Sequence, residues 1–409
     1  MHIGVLSDPS NFHTQKWALA LQRAGAKVTI FSFSDFAWDL VPCVRVRPSW
    51  TVGGNITYPS FLYSGENLRA ALIKHKVDLV NPVNITPYGV WAARSGFRPM
   101  VSVAMGADIL EYPPKKENSN IPVSRIWSSN QTMAGPVRKV IHGVKWRVFR
   151  QEIKAALDAS ALITGDNIQL VNAMREWFGI NKNKLRLNRW GVEPELFSCS
   201  ETQKAELRKE YKIRDWQRVI LSPRGMKPVY QGDVILDAFE MLLRRGVRDA
   251  KLIMLSAGYD VPPSVDKKAK LLDSQFENFH YQQGILPREA VSSLWSVVDA
   301  FVNAPVYDGY SNALGEGRYV GAVPVVNDIP AHREILRHNH NCLMVNPFTP
   351  QHLADQLLEL IPQMDAVKAR FAPTNRKWME ENSLLDKNVR IFIRDCEGVL
   401  KKKKVNGII

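Results

Sequence analysis

Two carboxylates, Asp308 and Glu316, stand on either side of the start of a predicted helix. Asp308 is in a loop, and Glu316 follows eight positions later, one to two turns into the helix. Between them, Ser311 and Asn312 are suitable N-cap residues, because their side-chain oxygens accept hydrogen bonds from the unpaired first-turn N–H groups. A helix N-terminus also carries a partial positive charge that attracts phosphate. The two acids either face a ligand bound at this helix start or merely balance the helix dipole.

The elements around this helix form a strand–loop–helix–strand unit. The apolar run 299–305 predicts a buried strand before the loop, and the run 321–326 predicts another strand after the helix. Gly315 and Gly317 make the helix slim enough to pack close to another backbone. Ligands of open α/β sheets bind at the carboxyl ends of the strands. The loop that carries Asp308 is expected at such a position.

The frame from Asp308 to Val326, DGYSNALGEGRYVGAVPVV, resembles the E-x7-E signature of retaining glycosyltransferases of the GT-B fold, family 4. The match extends through Glu334. The sequence departs from the family at the first acid, where Asp is one methylene shorter than Glu. The resemblance implies that Asp308 binds hydroxyls of the transferred sugar and that Glu316 binds the ribose of the nucleotide.

The same resemblance implies further donor-binding residues. Arg224 follows a predicted strand at 219–222 and matches an arginine that binds the diphosphate, whose charge grows as the glycosidic bond breaks. Lys227 is our candidate for the accompanying lysine, although the family's register falls on Gln231. Alternatively, Arg224 pairs with an acid across the cleft. The other donor-binding candidates are Gly309, Tyr310, Ser311, Asn312, Ala313 and Leu314, and Gly284 and Ile285 at the turn that holds the base.

Acceptor-side candidates come from the first half of the chain. Gly106 and Asp108 match a G-S-D-like motif that follows a strand in the family, although the histidine often found just upstream is missing. His13 lies in the first loop, where a subset of the family has a histidine, and Asn11 precedes it. Asp108 and His13 are therefore catalytic candidates, with a plain surface histidine as the alternative for His13. The retaining reaction demands no protein base, since the leaving phosphate can take the acceptor's proton.

Strand and helix patterns alternate along the chain, as is typical of Rossmann-like units. The fold class is therefore α/β, and the resemblance implies two Rossmann-like domains facing a cleft, the GT-B arrangement. We place the N-terminal, acceptor-side domain at 1–195, completed by C-terminal helices at about 376–409. The nucleotide-sugar-binding domain is placed at 196–375. The segment 188–197 resembles the family's boundary motif N-G-V-D-x-x-x-F, with Glu193 for the aspartate.

Composition narrows the class of protein. The chain has 409 residues, of which 45% are hydrophobic and 23% charged, as in globular proteins. The phosphate fingerprint G-x-G-x-x-G is absent, which counts against a nicotinamide dehydrogenase. Four scattered cysteines without a C-x-x-C pair favour a reducing cytosol over a disulfide framework or zinc site. We expect no signal peptide, no membrane-spanning helix and, since no Asp-x-Asp pair occurs, no metal or cofactor besides the nucleotide-sugar substrate.

The net charge of +14 is concentrated in the first half, where residues 1–200 carry 24 Lys and Arg against 14 Asp and Glu. The segment 115–150 carries eight cations against Glu117 alone, interleaved with apolar residues. From Pro136 onward it predicts a basic amphipathic helix. Such a helix binds an anionic membrane surface, unless its apolar side simply belongs to the core. We expect a cytoplasmic protein with peripheral attachment to the inner face of the cell membrane, and no nucleic-acid partner, because no binding signature accompanies the charge.

The sequence thus predicts a retaining glycosyltransferase that moves a sugar from a nucleotide-diphosphate sugar, with UDP as the favoured nucleotide, to an acceptor hydroxyl. The acceptor is expected to be a glycan or lipid-linked glycan under synthesis. Two other classes stay open. One is a non-hydrolysing sugar-nucleotide epimerase, which needs several acids and a histidine around the sugar. The other is a non-catalytic protein that binds anionic lipid or nucleic acid through 115–150.

Overall fold

The computed structural model describes residues 1–36, 38–47, 65–114, 136–258 and 261–405, with the side chains of 136–145 and 403–405 left aside. The chain divides into two compact units. The first unit runs up to Trp190 and resumes at Leu385, and the second is Gly191–Leu384. The chain therefore leaves the first unit slightly before the predicted boundary at 195 and returns to it later than the predicted 376.

The first unit is built on seven parallel strands in the order β3-β2-β1-β4-β5-β6-β7 among its described residues. Single bridges from Val80 to Met100 and from Val83 to Val103 connect β4 to β5. Its five inner strands are buried almost throughout, as expected for a parallel sheet covered by helices on both faces, whereas the edge strands β3 and β7 are partly exposed. The strands are β1 (His2–Leu6), β2 (Lys27–Ser32), β3 (Cys43–Arg45), β4 (Leu79–Pro82), β5 (Val101–Ala104), β6 (Leu162–Gly165) and β7 (Leu185–Leu187).

Helices of the first unit include the last helix of the chain. That helix places Leu385, Val389, Phe392 and Cys396, all fully buried, in the core formed with α1 and the sheet. The helices are α1 (Phe12–Arg23), α2 (Glu66–Lys74), α3 (Val90–Ser95), α4 (Ala107–Leu110), α5 (Pro136–Ala159), α6 (Ile168–Phe178) and, after the second unit, α15 (Leu385–Val405).

The second unit contains a six-stranded parallel sheet in the order β10-β9-β8-β11-β12-β13. Its strands are β8 (Arg218–Ser222), β9 (Ala250–Leu255), β10 (Phe279–Gln282), β11 (Ala300–Asn303), β12 (Val323–Asn327) and β13 (Leu343–Val345). Its helices are α7 (Glu201–Glu210), α8 (Gly232–Arg244), α9 (Pro263–Gln275), α10 (Arg288–Leu294), α11 (Asn312–Val320), α12 (Pro330–Ile335), α13 (Pro350–Leu360) and α14 (Met364–Asn382).

Helix α14 runs across the position, about 376, at which we placed the return of the chain to the first unit. The helix continues to Asn382 with Pro373 inside it. A proline lacks the N–H for one helical hydrogen bond and normally ends or kinks a helix. Here Phe371 and Met379, on either side of the proline, are both buried. The burial of that face outweighs the lost hydrogen bond, and the helix ends only before Ser383.

The structure describes only part of the basic segment 115–150. Residues 115–135 lie outside the described residues, so the predicted membrane contact of 115–150 remains an expectation. The predicted helix from Pro136 is confirmed as α5. In its second half, Phe149, Ile153 and Leu157 are buried. No helix in the described ranges is both long and apolar enough to cross a bilayer.

Candidate active site

An ion pair between Arg224 and Asp308 lies at the carboxyl edge of the second unit's sheet. Arg224 follows β8 by two residues, and Asp308 is in the loop after the adjacent strand β11. Only 19% of the arginine side chain and 15% of the aspartate side chain are exposed. Arg224 therefore pairs with an acid of its own unit, the first member of the predicted acid pair, and this ion pair differs from the one across the cleft that the alternative described.

Arg224 keeps its positive charge at this site. Burial lowers the pKa of Arg224, but Asp308 and Tyr230 more than offset that effect and raise the pKa above its usual value. The guanidinium carbon lies 4.1 Å from the centre of the Tyr230 ring. A guanidinium has five N–H donors, so it can keep one contact with a carboxylate and still bind a second anion.

Two hydrogen bonds to backbone carbonyls hold together the loop that carries Arg224 and the loop that carries Asp308. The N–H of Val306 donates to the carbonyl of Val229 at 2.8 Å. The Gln231 side-chain amide donates to the carbonyl of Ala304 at 3.0 Å. Gln231 stands where the family's lysine register falls, and here it binds the neighbouring loop. Lys227 begins the short 3-10 turn that carries Tyr230, in the same loop as Arg224.

Helix α11 begins where the sequence predicts. Ser311 is the N-cap, and its hydroxyl accepts a hydrogen bond from the Leu314 N–H at 3.3 Å. The first turn consists of Asn312, Ala313 and Leu314, and the loop that carries Asp308 and Gly309 leads directly into it. The structure thus brings together an arginine, an aspartate and a helix N-terminus. This combination is suited to an anionic ligand with hydroxyl groups.

A buried polar network behind this loop was not predicted. Ser311 donates to the Asn303 side-chain oxygen at 3.4 Å, and the Asn303 amide lies 3.1 Å from Nε2 of His332. Nδ1 of His332 lies 2.8 Å from the carbonyl oxygen of Asn327, and the Asn327 amide donates to Pro305. Asn303 and Asn327 are polar residues that end apolar strands, and this pattern is the signal that sequence reasoning missed.

His332 is held in its neutral form. The network assigns the proton to Nδ1, which donates to Asn327, and leaves Nε2 to accept from Asn303. Burial lowers the pKa of His332. The charges of Asp308 and Asp328 favour the protonated form, whereas that of Arg224 opposes it. His332 therefore supports the loop as a fixed hydrogen-bonding group and carries no charge.

Glu316 lies in the second turn of α11 and accepts a hydrogen bond from the indole N–H of Trp295 at 3.0 Å. Trp295 is almost fully buried, at 1% exposure. Its ring therefore fixes one carboxylate oxygen of Glu316 from behind. The predicted contact of Glu316 with a ribose remains a prediction, and Trp295 is a positioning partner that the sequence did not reveal.

Tyr310 anchors the loop between the two acids. Its hydroxyl donates to the sulfur of Met379 at 3.1 Å, and its ring stacks on Trp378 at 6.5 Å between ring centres. Both partners belong to α14. The role of Tyr310 in this structure is thus to fasten the loop of Asp308 to the helix behind it, and its backbone remains a donor-binding candidate.

Gly284 and Ile285 lie at the same sheet edge, in the turn after β10. The Ser256 hydroxyl donates to the carbonyl of Gly284 at 3.2 Å, which fixes the turn against the end of β9. Ile285 is 78% exposed. A Cβ at Gly258 would lie 1.9 Å from the Ile285 side chain, so this close contact requires glycine. The proposed base-binding turn is thus well fixed, with an apolar side chain facing water.

Asp108, the first acceptor-side candidate, is buried in the first unit, where its carboxylate binds the backbone of two loops. Its carboxylate accepts backbone N–H groups from Ile85 at 2.7 Å, Met105 at 3.0 Å and Gly106 at 2.9 Å. Burial raises its pKa to about 6, while the N–H groups act in the opposite direction. The structure therefore uses this carboxylate to join the loops after β4 and β5. Its catalytic role remains a prediction.

His13 and Asn11 lie at the carboxyl end of β1. Asn11 is the N-cap of α1 and accepts the N–H of His13 at 2.8 Å. The His13 ring meets the edge of Trp190 with 6.1 Å between ring centres, and Trp190 stacks on Trp17 at 4.8 Å. His13 thus belongs to an aromatic cluster of the first unit.

No group of three or more His, Cys, Asp and Glu residues that could hold a metal occurs in the described part of the chain. The expectation that no metal takes part is not tested by this observation. The residues at the carboxyl edge of β8 and β11 supply a cation, an acid and the amides of a helix N-terminus.

Comparison with known proteins defines the class. The family model described as "Glycosyl transferases group 1" matches residues 217–363, and the model "Glycosyl transferase 4-like" matches residues 2–132. Together with the two Rossmann-like units, these matches define a glycosyltransferase of the GT-B fold. The chain belongs to the group 1, family 4-like glycosyltransferases. No curated protein matches it in sequence.

Solved structures agree on the fold. HepE of Anabaena in complex with UDP-glucose has 14% sequence identity and a TM-score of 0.71, covering 97% of this chain and 100% of that chain. Sucrose-phosphate synthase of Thermosynechococcus elongatus has 13% identity and a TM-score of 0.72, covering 98% and 100%. A glycosyltransferase from Rickettsia africae has 14% identity and a TM-score of 0.70, covering 98% of both chains. At these identities the likeness establishes the fold.

Proposed function

We propose that the enzyme transfers a sugar from a UDP-sugar to the hydroxyl of a glycan or lipid-linked acceptor, with retention of the anomeric configuration and without a metal. The observation that supports this most strongly is the Arg224–Asp308 ion pair beside the N-terminus of α11. A diphosphate needs cations and N–H donors, and a sugar needs a carboxylate that accepts its hydroxyls. The ion pair holds both kinds of group at one sheet edge.

In the proposed mechanism, Arg224 and the first-turn amides of α11 stabilise the negative charge that grows on the diphosphate as the sugar–phosphate bond breaks. Lys227, in the same loop, adds a second cation. Asp308 accepts hydrogen bonds from sugar hydroxyls and orients the ring, and Glu316, fixed by Trp295, binds the ribose. The leaving phosphate oxygen takes the proton of the attacking hydroxyl, so the sugar is delivered on the face from which the phosphate departs.

The choice of UDP is supported by two likenesses. The frame from Asp308 to Val326 resembles that of enzymes that use nucleotide-sugars, and HepE, with the same fold, has been solved with UDP-glucose. The acceptor is assigned to the first unit, where Asn11, His13 and Gly106 lie at the carboxyl ends of strands. Synthesis of a polysaccharide or lipid-linked glycan on the cytoplasmic side of the membrane fits the basic segment 115–150.

A thermal-shift screen against UDP, GDP, ADP, CMP and their sugars, with and without EDTA, tests the proposal. A ligand present at 100 times its Kd stabilises the native protein by about 2.7 kcal/mol, which raises Tm measurably. We expect UDP and one UDP-sugar to raise Tm equally with and without EDTA. A shift that requires a metal would remove the metal-free mechanism. Absence of any shift would favour the non-catalytic, lipid- or nucleic-acid-binding class.

A further inference from the structure

A cavity of about 350 Å³ lies in the second unit, at the far end of α11 from the ion pair. Tyr319 and Val320, at the C-terminus of α11, line it, whereas Ser311 caps the N-terminus of that helix. Nine residues at 1.5 Å each place the two ends on the order of 13 Å apart. The cavity is therefore separate from the Arg224–Asp308 ion pair, although Trp295, which binds Glu316, is part of its wall. Its volume falls within the size range of small-molecule sites.

The charges that line the cavity have one sign. Lys204, Lys368 and Arg376 contribute to its wall, and no aspartate or glutamate of the described chain does. Each cation has an acidic partner that is not part of the wall. Lys204 pairs with Glu201 at 2.7 Å, Lys368 with Asp299 at 2.9 Å, and Arg376 with Glu380 at 2.7 Å. The acids hold the three cations in place, and the described part of the wall contains their cationic groups without a carboxylate.

Three aromatic side chains also line the cavity. Phe197 and Tyr319 lie 5.7 Å apart between ring centres, and the third ring is that of the buried Trp295. Arg376 is rigidly held, because its guanidinium stacks on Tyr319 at 3.7 Å and donates to the Tyr319 carbonyl and hydroxyl. Aromatic surface favours a planar or apolar group, and fixed cations favour an anionic group.

We propose that this cavity binds a small molecule that carries an anionic group, phosphate or carboxylate, on a ring. The anion contacts Lys204, Lys368 and Arg376, and the ring packs against Phe197 and the neighbouring aromatic side chains. The proposal does not rest on the sugar-transfer function, although Trp295 connects the cavity wall to Glu316. It stands whether or not a UDP-sugar proves to be the donor.

Cys199 provides a direct readout, because it lines the cavity and is half-buried. Its alkylation by iodoacetamide is measured by mass spectrometry with and without phenyl phosphate, benzoate, inorganic phosphate or benzyl alcohol. A ligand at ten times its Kd slows alkylation about tenfold by mass action. We expect protection by phenyl phosphate and benzoate at concentrations at least about tenfold lower than for the two partial ligands, since one charge-assisted contact alone is worth about that factor.

Cys43 is the internal control, since it is half-buried but lies in the first unit. Its alkylation rate is expected to stay constant with every compound. Equal protection of both cysteines would indicate a general effect on the protein and would overturn the proposal. Protection by benzyl alcohol at the same concentration as phenyl phosphate would also overturn it, because the cavity would then be merely apolar.

Two variants on α7 test the charge. Lys204→Glu reverses one cation of the wall, and Lys209→Glu makes the same change at an exposed position of the same helix outside the wall. Lys204→Glu is expected to weaken phenyl phosphate binding at least about tenfold in calorimetry, and Lys209→Glu by no more than about twofold. Equal effects would show a general charge effect. Should Lys204→Glu fail to fold, wild-type protein with Cys199 alkylated supplies the test, and unimpaired binding to it would overturn the site.

Discussion

At the residue scale, the sequence identified the acid, the arginine and the cap that the structure brings together. Arg224 and Asp308 each follow a strand, and Ser311 starts a helix. Parallel strands bring such positions together at one edge of the sheet. The sequence could not show that Arg224 and Asp308 bind each other, since 84 positions separate them. It also could not show that the Asp108 carboxylate is occupied by three backbone N–H groups.

The ion pair leads to opposite expectations for its two members. Arg224→Ala removes the cation proposed to contact the diphosphate, so UDP binding should weaken about 10- to 100-fold while uridine binding changes little. Asp308→Asn releases Arg224 from its partner, so UDP binding should stay the same or tighten while sugar transfer falls. Calorimetric titration with UDP and uridine, combined with a transfer assay, measures both effects. A loss of UDP affinity in Asp308→Asn as large as in Arg224→Ala would show that the pair serves only to fold the loops.

At the element scale, the glycines of α11 allow close packing, but against side chains and not against the backbone that the sequence analysis expected. A Cβ at Gly317 would lie 2.4 Å from the ring of Phe301, a fully buried residue of β11. The network of Asn303, His332 and Asn327 was not predicted, because it depends on how β11 and β12 align. The length of α14 was not predicted either. A proline normally ends or kinks a helix, but here tertiary packing keeps the helix continuous through Pro373.

Gly317→Ala should therefore destabilise the second unit by about 1–3 kcal/mol, the usual cost of overpacking a core. Gly398 provides the matched control, since it is within α15 and a Cβ there would meet nothing within 4 Å. Gly398→Ala should stabilise by up to about 1 kcal/mol, because alanine is the better helix former. Urea denaturation of both variants gives the two free energies. Equal signs for the two substitutions would contradict the close contact with Phe301.

His332 makes the second unit sensitive to acid. Its pKa is lowered in the folded state, so the unfolded chain binds more protons and stability is lost as the pH falls below about 6.5. Between that pH and the folded-state pKa, the loss is about 1.4 kcal/mol per pH unit. Asp108 has the opposite effect on stability as the pH falls, because its pKa is raised to about 6 in the folded state.

The effect of His332 is isolated by subtracting the unfolding free energy of His332→Gln from that of the wild type at each pH. The difference should decrease as the pH is lowered from 7.5 to 5, while the contribution of Asp108 cancels. A difference that stays constant over this range would mean that His332 is not held neutral by Asn303 and Asn327.

At the scale of the whole molecule, the α/β class and the two Rossmann-like units were predicted, because alternating strand and helix patterns are strong signals. The return of the chain to its first unit was expected from the family resemblance alone. Its position, at Leu385, follows from packing that no local pattern encodes. Leu385, Val389, Phe392 and Cys396 are fully buried in the core of the first unit.

Phe392→Ala should thus destabilise the first unit by about 3–5 kcal/mol, the usual cost of removing a buried phenyl ring. Phe392 meets Trp17 edge to face, with 4.9 Å between ring centres. The control Phe36→Ala, at a side chain that is 45% exposed, should cost much less. Differential scanning calorimetry follows the transitions of the two units. A shift confined to the transition of the second unit would contradict the placement of α15.

The split first unit also sets an order for synthesis on the ribosome. Among the described residues, the second unit is one continuous stretch, Gly191–Leu384, so this stretch can form its core as soon as it has emerged. The first unit starts first but must wait for α15. At 5–20 residues per second, translation of the intervening stretch takes about 10–40 s. During that interval the apolar face of the first unit that α15 later covers is exposed to water. A nascent chain at this stage is the form of the protein most in need of a chaperone.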